Sequence, residues 1–120
     1  MDESQKELFQ ECERRLLKAR EEVVNGLQAL SGSLSEKVEG DEGDIAQVLQ
    51  SQHTSMVQRE KLIFQMREIE DALQRIQEGS YGVCEETEEP IERERLLAIP
   101  WTRLSLIGAE MRESRRKRFA

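Results

Sequence analysis

Apolar residues recur at every third or fourth position through the first thirty residues. Leu8, Cys12, Leu16, Ala19, Val23, Leu27 and Leu30 form one stripe, with mainly charged and amide side chains between them. That period predicts an amphipathic helix. Residues 4–31 hold no Pro and a single Gly, Gly26, so nothing interrupts it. Ser31-Gly32-Ser33 and Gly40-Asp41-Glu42-Gly43-Asp44 then break the pattern with turn-forming residues, and Asp44 is the expected N-cap of the next helix. A second helix is expected from about Ile45 to Glu78, closed by Gly79 as C-cap. In its later half Leu62, Met66, Ile69, Leu73 and Ile76 step by four and three, as a heptad seam does. Nearer its start Gln52, Ser55 and Arg59 continue that seam with polar residues. The pairing is therefore expected to be tight at the base and looser toward the tip.

Two such helices joined by a short connection bury their stripes by folding back on each other, giving a hairpin on the order of 40 Å long. Residues 80–104 read as a short irregular unit punctuated by Pro90 and Pro100, with Trp101 as its packing anchor. From Leu104 a last helix carries Leu106, Ile107, Ala109, Glu110 and Met111. The expected fold is mainly α. A long antiparallel coiled-coil hairpin spans 1–78 with an acidic tip near 40–46, and a small module with a C-terminal helix spans 79–120. By composition alone, such a hairpin is a mediator of protein contacts.

Composition sharpens this picture. Charged residues make up 36% of the 120 positions and aromatics 4%, too little interior for a compact globule but enough for amphipathic helices. A net charge of −7 argues against broad phosphate-backbone binding. The exception, Arg115-Arg116-Lys117-Arg118, reads first as a favourable cationic helix end, and only second as a nucleic-acid contact. Two cysteines without CxxC spacing suit a reduced compartment. No apolar run approaches the roughly 18 residues of a membrane span, and the start Met1-Asp2-Glu3-Ser4 is unlike a signal peptide. A cytoplasmic protein away from membranes is expected. The one histidine, His53, has neither Cys12 nor Cys84 in a nucleophile signature, and Glu85-Glu86 and Glu88-Glu89 read as a solvated acidic run. No enzyme activity is expected.

Three stretches carry more specific information: Tyr81-Gly82-Val83-Cys84-Glu85-Glu86-Thr87, Arg95-Leu96-Leu97-Ala98-Ile99-Pro100-Trp101-Thr102 and Leu104-Ser105-Leu106-Ile107-Gly108. Together they resemble the C-terminal module of the DksA/TraR family, bacterial factors that act on RNA polymerase. In that family two cysteine pairs at these places hold one zinc ion. Here the four ligand positions fall on Cys84, Thr87, Ser105 and Gly108, so one thiol remains. Structural zinc sites are closed by four Cys or His ligands, and the resemblance therefore implies a degenerate zinc finger without a metal cofactor. Losing a structural zinc removes on the order of 10 kcal/mol of metal-linked folding energy. Trp101, Ile91, Leu96, Leu97, Ile99, Leu104 and Ile107 are candidates to offset it, with hydrogen bonds from Thr87 and Ser105. A second match lies at the tip, where Asp41-Glu42-Gly43-Asp44-Ile45-Ala46 resembles the family's Asp-x-x-Asp-x-Ala.

The resemblance implies that the hairpin enters the secondary channel of RNA polymerase, brings its acidic tip near the active site and alters promoter-complex stability. Asp44 and Ala46 match the leading tip positions, Asp41 comes second, and Lys61 is a candidate polymerase contact. Sequence-specific DNA binding is not implied. Family members that respond to ppGpp, the alarmone of the stringent response, hold it partly through basic residues at places that here are Glu68, Ile99 and Ala109, so synergy with ppGpp is not expected. The competing reading is a scaffold or adaptor derived from the same family with no action on transcription. The tip motif favours the first reading.

Overall fold

The computed structural model describes residues 2–34 and 42–118. It is mainly helical, a helical hairpin followed by a small module and a C-terminal helix, as the period of the sequence predicts. Helix α1 spans Glu3–Leu34, α2 Glu42–Glu78, α3 Arg93–Ala98 and α4 Leu106–Arg118. Between α2 and α3 a single antiparallel bridge pairs Val83 with Pro90.

The helix ends follow from local chemistry. Asp2 caps α1: its Oδ1 accepts the Gln5 amide at 2.7 Å. Gly79 has φ +81°, and the amides of Ser80 and Gly79 bond the carbonyls of Arg75 and Ile76 at 3.0 and 3.4 Å. This is the double closure expected of a helix that ends on a left-handed residue. Three boundaries depart from expectation. α1 runs on through Leu34; α2 starts at Glu42, so Asp44 stands within its first turn instead of capping it; and α4 starts at Leu106 instead of Leu104.

Packing groups the residues into two compact units, Met1–Lys18 with Glu68–Ala120, and Ala19–Arg67. In the first, Leu8, Cys12 and Leu16 from α1 and Ile69 and Ala72 from α2 are buried, as are Tyr81, Cys84, Ile91 and Leu96. In the second, among the described residues, only Val23 and Ser55 are buried, while Leu49, Met56, Val57 and Phe64 are exposed. The looser packing expected near the tip is therefore present.

The end of α3 and the irregular segment after it are held by side chains that satisfy their carbonyls. Arg15 bonds Leu97 O at 2.7 Å, Arg75 bonds the carbonyls of Trp101 and Thr102 at 3.3 and 3.4 Å, and Arg95 bonds Leu104 O at 2.8 Å. Each takes up a backbone acceptor that no sheet or helix ladder would satisfy. Trp101 is only half-buried and is not the anchor expected of it. Tyr81 fills that role: its ring meets Phe9 edge-on at 5.0 Å, and its buried hydroxyl donates to Pro100 O at 2.7 Å. Ile107, expected among the packing residues, is 64% exposed.

Candidate functional site

The chain turns back on itself over residues 82–91. Gly82 (φ +87°) and Glu88 (φ +61°) both adopt left-handed backbone. Four backbone bonds close the turn: Cys84 N to Glu89 O, Glu88 N to Cys84 O, Ile91 N to Gly82 O and Glu85 N to Arg103 O, all between 2.8 and 2.9 Å. A β-carbon on Gly82 would collide with the Phe9 ring, so close approach to α1 also requires glycine there.

Inside this turn the structure brings Cys84, Thr87, Ser105 and Gly108 together. Cys84 and Ser105 are buried, 1% and 5% exposed. Ser105 caps α4, its Oγ accepting the Gly108 amide at 3.0 Å. Thr87 does the equivalent in the turn, its Oγ1 accepting the Glu89 amide at 3.2 Å. Each hydroxyl has one proton left, and both stand beside the Cys84 sulfur. Burial works against ionisation of this thiol, but hydrogen bonds from the hydroxyls of Ser105 and Thr87 and from their backbone amides hold it down to about 6. A serine just before an apolar run is a cap signal, which the expected helix start at Leu104 passes over. Nothing in the spacing announces its approach to a sulfur 21 residues earlier in the chain.

These residues do not fit a zinc ion. One thiolate and two neutral hydroxyls fall short of four Cys or His ligands, and Gly108 has no side chain. A β-carbon on Gly108 would overlap the Cys84 sulfur, so the space a fourth ligand needs is already filled. The carboxylate of Glu86, whose β-carbon lies close to Gly108, is committed to Arg112 and Arg115. Among the described residues no group of three or more His, Cys, Asp or Glu is placed to hold a metal.

A network of arginines surrounds the turn. Arg103 reaches Glu68 and Asp71 on α2 at 3.2 and 2.7 Å and Glu85 at 3.1 Å. Glu68 stands where the resemblance implies a cation in ppGpp-responsive members, and its negative charge is paired with Arg103. The arginines that organise this region went unnoticed in the sequence, because their partners lie on other elements and no short-range pattern announces them.

Of the tip residues, Asp41 lies outside the described residues. Asp44 and Ala46 are exposed near the start of α2. Lys61 is exposed further along α2, where it lines an apolar groove with Gly26, Ala29, Leu30, Gln58 and Leu62. No helix is long and apolar enough to cross a membrane among the described residues.

Residues 79–106, the turn and its closure, match the prokaryotic dksA/traR C4-type zinc finger. The chain is also 32% identical over 121 aligned positions to the RNA polymerase-binding transcription factor DksA of Caulobacter vibrioides, covering 98% of this chain and 82% of that protein. The chain belongs to the DksA/TraR family. A similar extent holds for a DksA/TraR-like match in structure: transcription factor DksA2 from Pseudomonas aeruginosa superposes with a TM-score of 0.81 at 33% identity, over 98% of this chain and 89% of that one. An uncharacterized protein of Aquifex aeolicus is 32% identical over 112 residues, 88% of this chain and 76% of its own length.

Proposed function

We propose that this DksA/TraR-family chain is a transcription regulator that binds RNA polymerase through its secondary channel and changes promoter-complex stability without catalysing a reaction. What supports the reading is the exposure of Asp44 and Ala46 at the start of α2 in a chain of this family. Asp44 supplies a carboxylate for charge-assisted hydrogen bonds to basic groups. Ala46 adds no bulk, so the helix start approaches a surface closely. Asp41 is assigned a supporting role and Lys61 a contact with polymerase. The reading implies a cytoplasmic protein with no membrane and no sequence-specific DNA partner.

The module works without zinc in this reading, because its ligand positions are filled by a self-contained hydrogen-bonded cluster. Synergy with ppGpp is absent, because Glu68 is paired with Arg103 and Ile99 and Ala109 carry no charge.

Asp44→Asn is the test. The variant should bind core polymerase with wild-type affinity in a pull-down yet leave promoter-complex lifetime unchanged, since affinity comes from broad hairpin and module contacts while the tip acts only after insertion. A variant that still shortens the lifetime would remove Asp44 from the mechanism, and a wild-type chain that does not bind polymerase would leave the adaptor reading in its place.

A further inference from the structure

In a four-cysteine module of this type, the ligand pairs come from the turn (positions 84 and 87) and from the start of α4 (positions 105 and 108), so the metal's mechanical task is to fasten that helix to the turn. Here something else must do so, and apolar burial is not it. Among the described residues of α4 only Gly108 is buried, whereas Leu106, Ile107 and Met111 are 54%, 64% and 45% exposed. The helix contributes no large side chain to the core.

What crosses from α4 to the turn is charge. Gly108, Arg112 and Arg115 stand at i, i+4 and i+7, one face of the helix. Arg112 Nε bonds Glu86 Oε1 at 2.9 Å, Arg115 pairs with Glu86 Oε2, and Arg112 Nη2 lies 3.5 Å from Glu85 Oε2. Both Glu86 oxygens are thus occupied, and its side chain is 14% exposed. Arg103, just before α4, pairs with Glu85 at 3.1 Å while its carbonyl accepts the Glu85 amide at 2.9 Å.

We propose that this ionic clasp, Glu86 gripped by Arg112 and Arg115 and braced by Glu85 and Arg103, takes over the zinc's task of fastening α4 to the turn. An isolated surface pair contributes little. Here one mostly covered carboxylate serves two guanidiniums, and the tight seat of Gly108 on Cys84 holds the helix within their reach. The proposal rests on the metal-free reading above. It makes α4 attachment sensitive to ionic strength and indifferent to chelators.

Amide hydrogen exchange of the full-length chain, read on residues 106–118, tests it. Raising salt from about 0.1 to about 1 M shortens the screening length from about 10 to about 3 Å. It should speed exchange of α4 several-fold in the wild type while leaving α1 and the base of α2 protected. Glu86→Gln should show that fast exchange already at low salt and respond little to more. Because a single substitution could act by loosening the turn, Arg112→Gln and the double variant complete a cycle. The clasp requires the two losses to be less than additive. Additive losses, or α4 exchange unaffected by salt and by Glu86→Gln, would overturn the clasp. Loss of α4 protection on adding a strong chelator would overturn the metal-free reading beneath it, and is distinguished by responding to restored zinc.

Discussion

Cys84 and Gly108 share one small space. A β-carbon on residue 108 would overlap the Cys84 sulfur and stand 3.2 Å from Ser105 Oγ. The sulfur is thus the centre on which the turn and the start of α4 close, with Thr87 and Ser105, at two of the other positions where the family places metal ligands, beside it. Glycine at 108 is a packing requirement of that centre.

Gly108→Ala should therefore destabilise the protein. Alanine gains about 1 kcal/mol over glycine in a helix interior, but forcing a methyl into a filled space costs about 1–3 kcal/mol, and here its immediate neighbour is a buried sulfur. A net loss of about 1 kcal/mol in urea unfolding is expected. Combining it with Cys84→Ala should recover part of that loss, because the smaller side chain vacates the contested space. An unchanged midpoint for Gly108→Ala would show that α4 shifts freely.

The same centre gives a pH dependence. The Cys84 thiol has a folded-state value of about 6, below the roughly 8.5 of an unperturbed thiol. A depressed value contributes stability that is fully present above the unfolded pKa and is lost as pH falls through the folded one. Stability should therefore decline as pH falls from about 8.5 to about 6, by up to about 1.4 kcal/mol per unit. Cys84→Ser should flatten that part of the profile. Thiolate absorbance in the ultraviolet should titrate near pH 6 in the wild type and disappear in Cys84→Ser. A midpoint at or above that of free cysteine would mean that burial outweighs the four donors.

The parts of this molecule legible in the sequence are those governed by short-range periodicity. The α1 stripe from Leu8 to Val23, the Ile69 seam and the Gly79 stop all follow from spacing or from one residue's backbone preference. So does the meeting of residues 84, 87, 105 and 108, because their places are fixed by motif. What spacing does not encode is contact across the chain. Arg103 joins residues 18 to 35 positions away, and Cys12 packs its sulfur 3.7 Å from Leu96 O, 84 positions on. Trp101 is the anchor expected from the sequence. Tyr81 displaced it because a phenol combines a buried ring with a hydroxyl able to satisfy the Pro100 carbonyl.

That assignment makes Tyr81→Phe informative. The substitution keeps the edge-on contact with Phe9 and removes the 2.7 Å bond to Pro100 O together with the hydroxyl's interaction with Cys12. Leaving that carbonyl unpaired should cost about 1–3 kcal/mol, whereas Trp101→Phe, at a half-buried site, should cost less. Paired chemical denaturation curves would establish the order. The reverse order would return the anchor to Trp101.

The ion pair between Glu68 and Arg103 bears on ppGpp. A phosphate-rich ligand approaching this face of α2 meets two carboxylates, Glu68 and Asp71, with Arg103 already shared among them and Glu85. Adding ppGpp should thus change the factor's effect on promoter-complex lifetime no more than it changes polymerase alone. Glu68→Gln removes one negative charge but adds no cation, so it should still confer no synergy. Arg103 retains Asp71 and Glu85, and the pair lost is partly exposed, so the stability cost should be within about 1 kcal/mol. Titrating ppGpp against wild type and Glu68→Gln in one lifetime assay separates the causes. Synergy appearing only in Glu68→Gln would identify the carboxylate as the barrier, whereas strong synergy in the wild type would mean that ppGpp is bound through residues other than 68, 99 and 109.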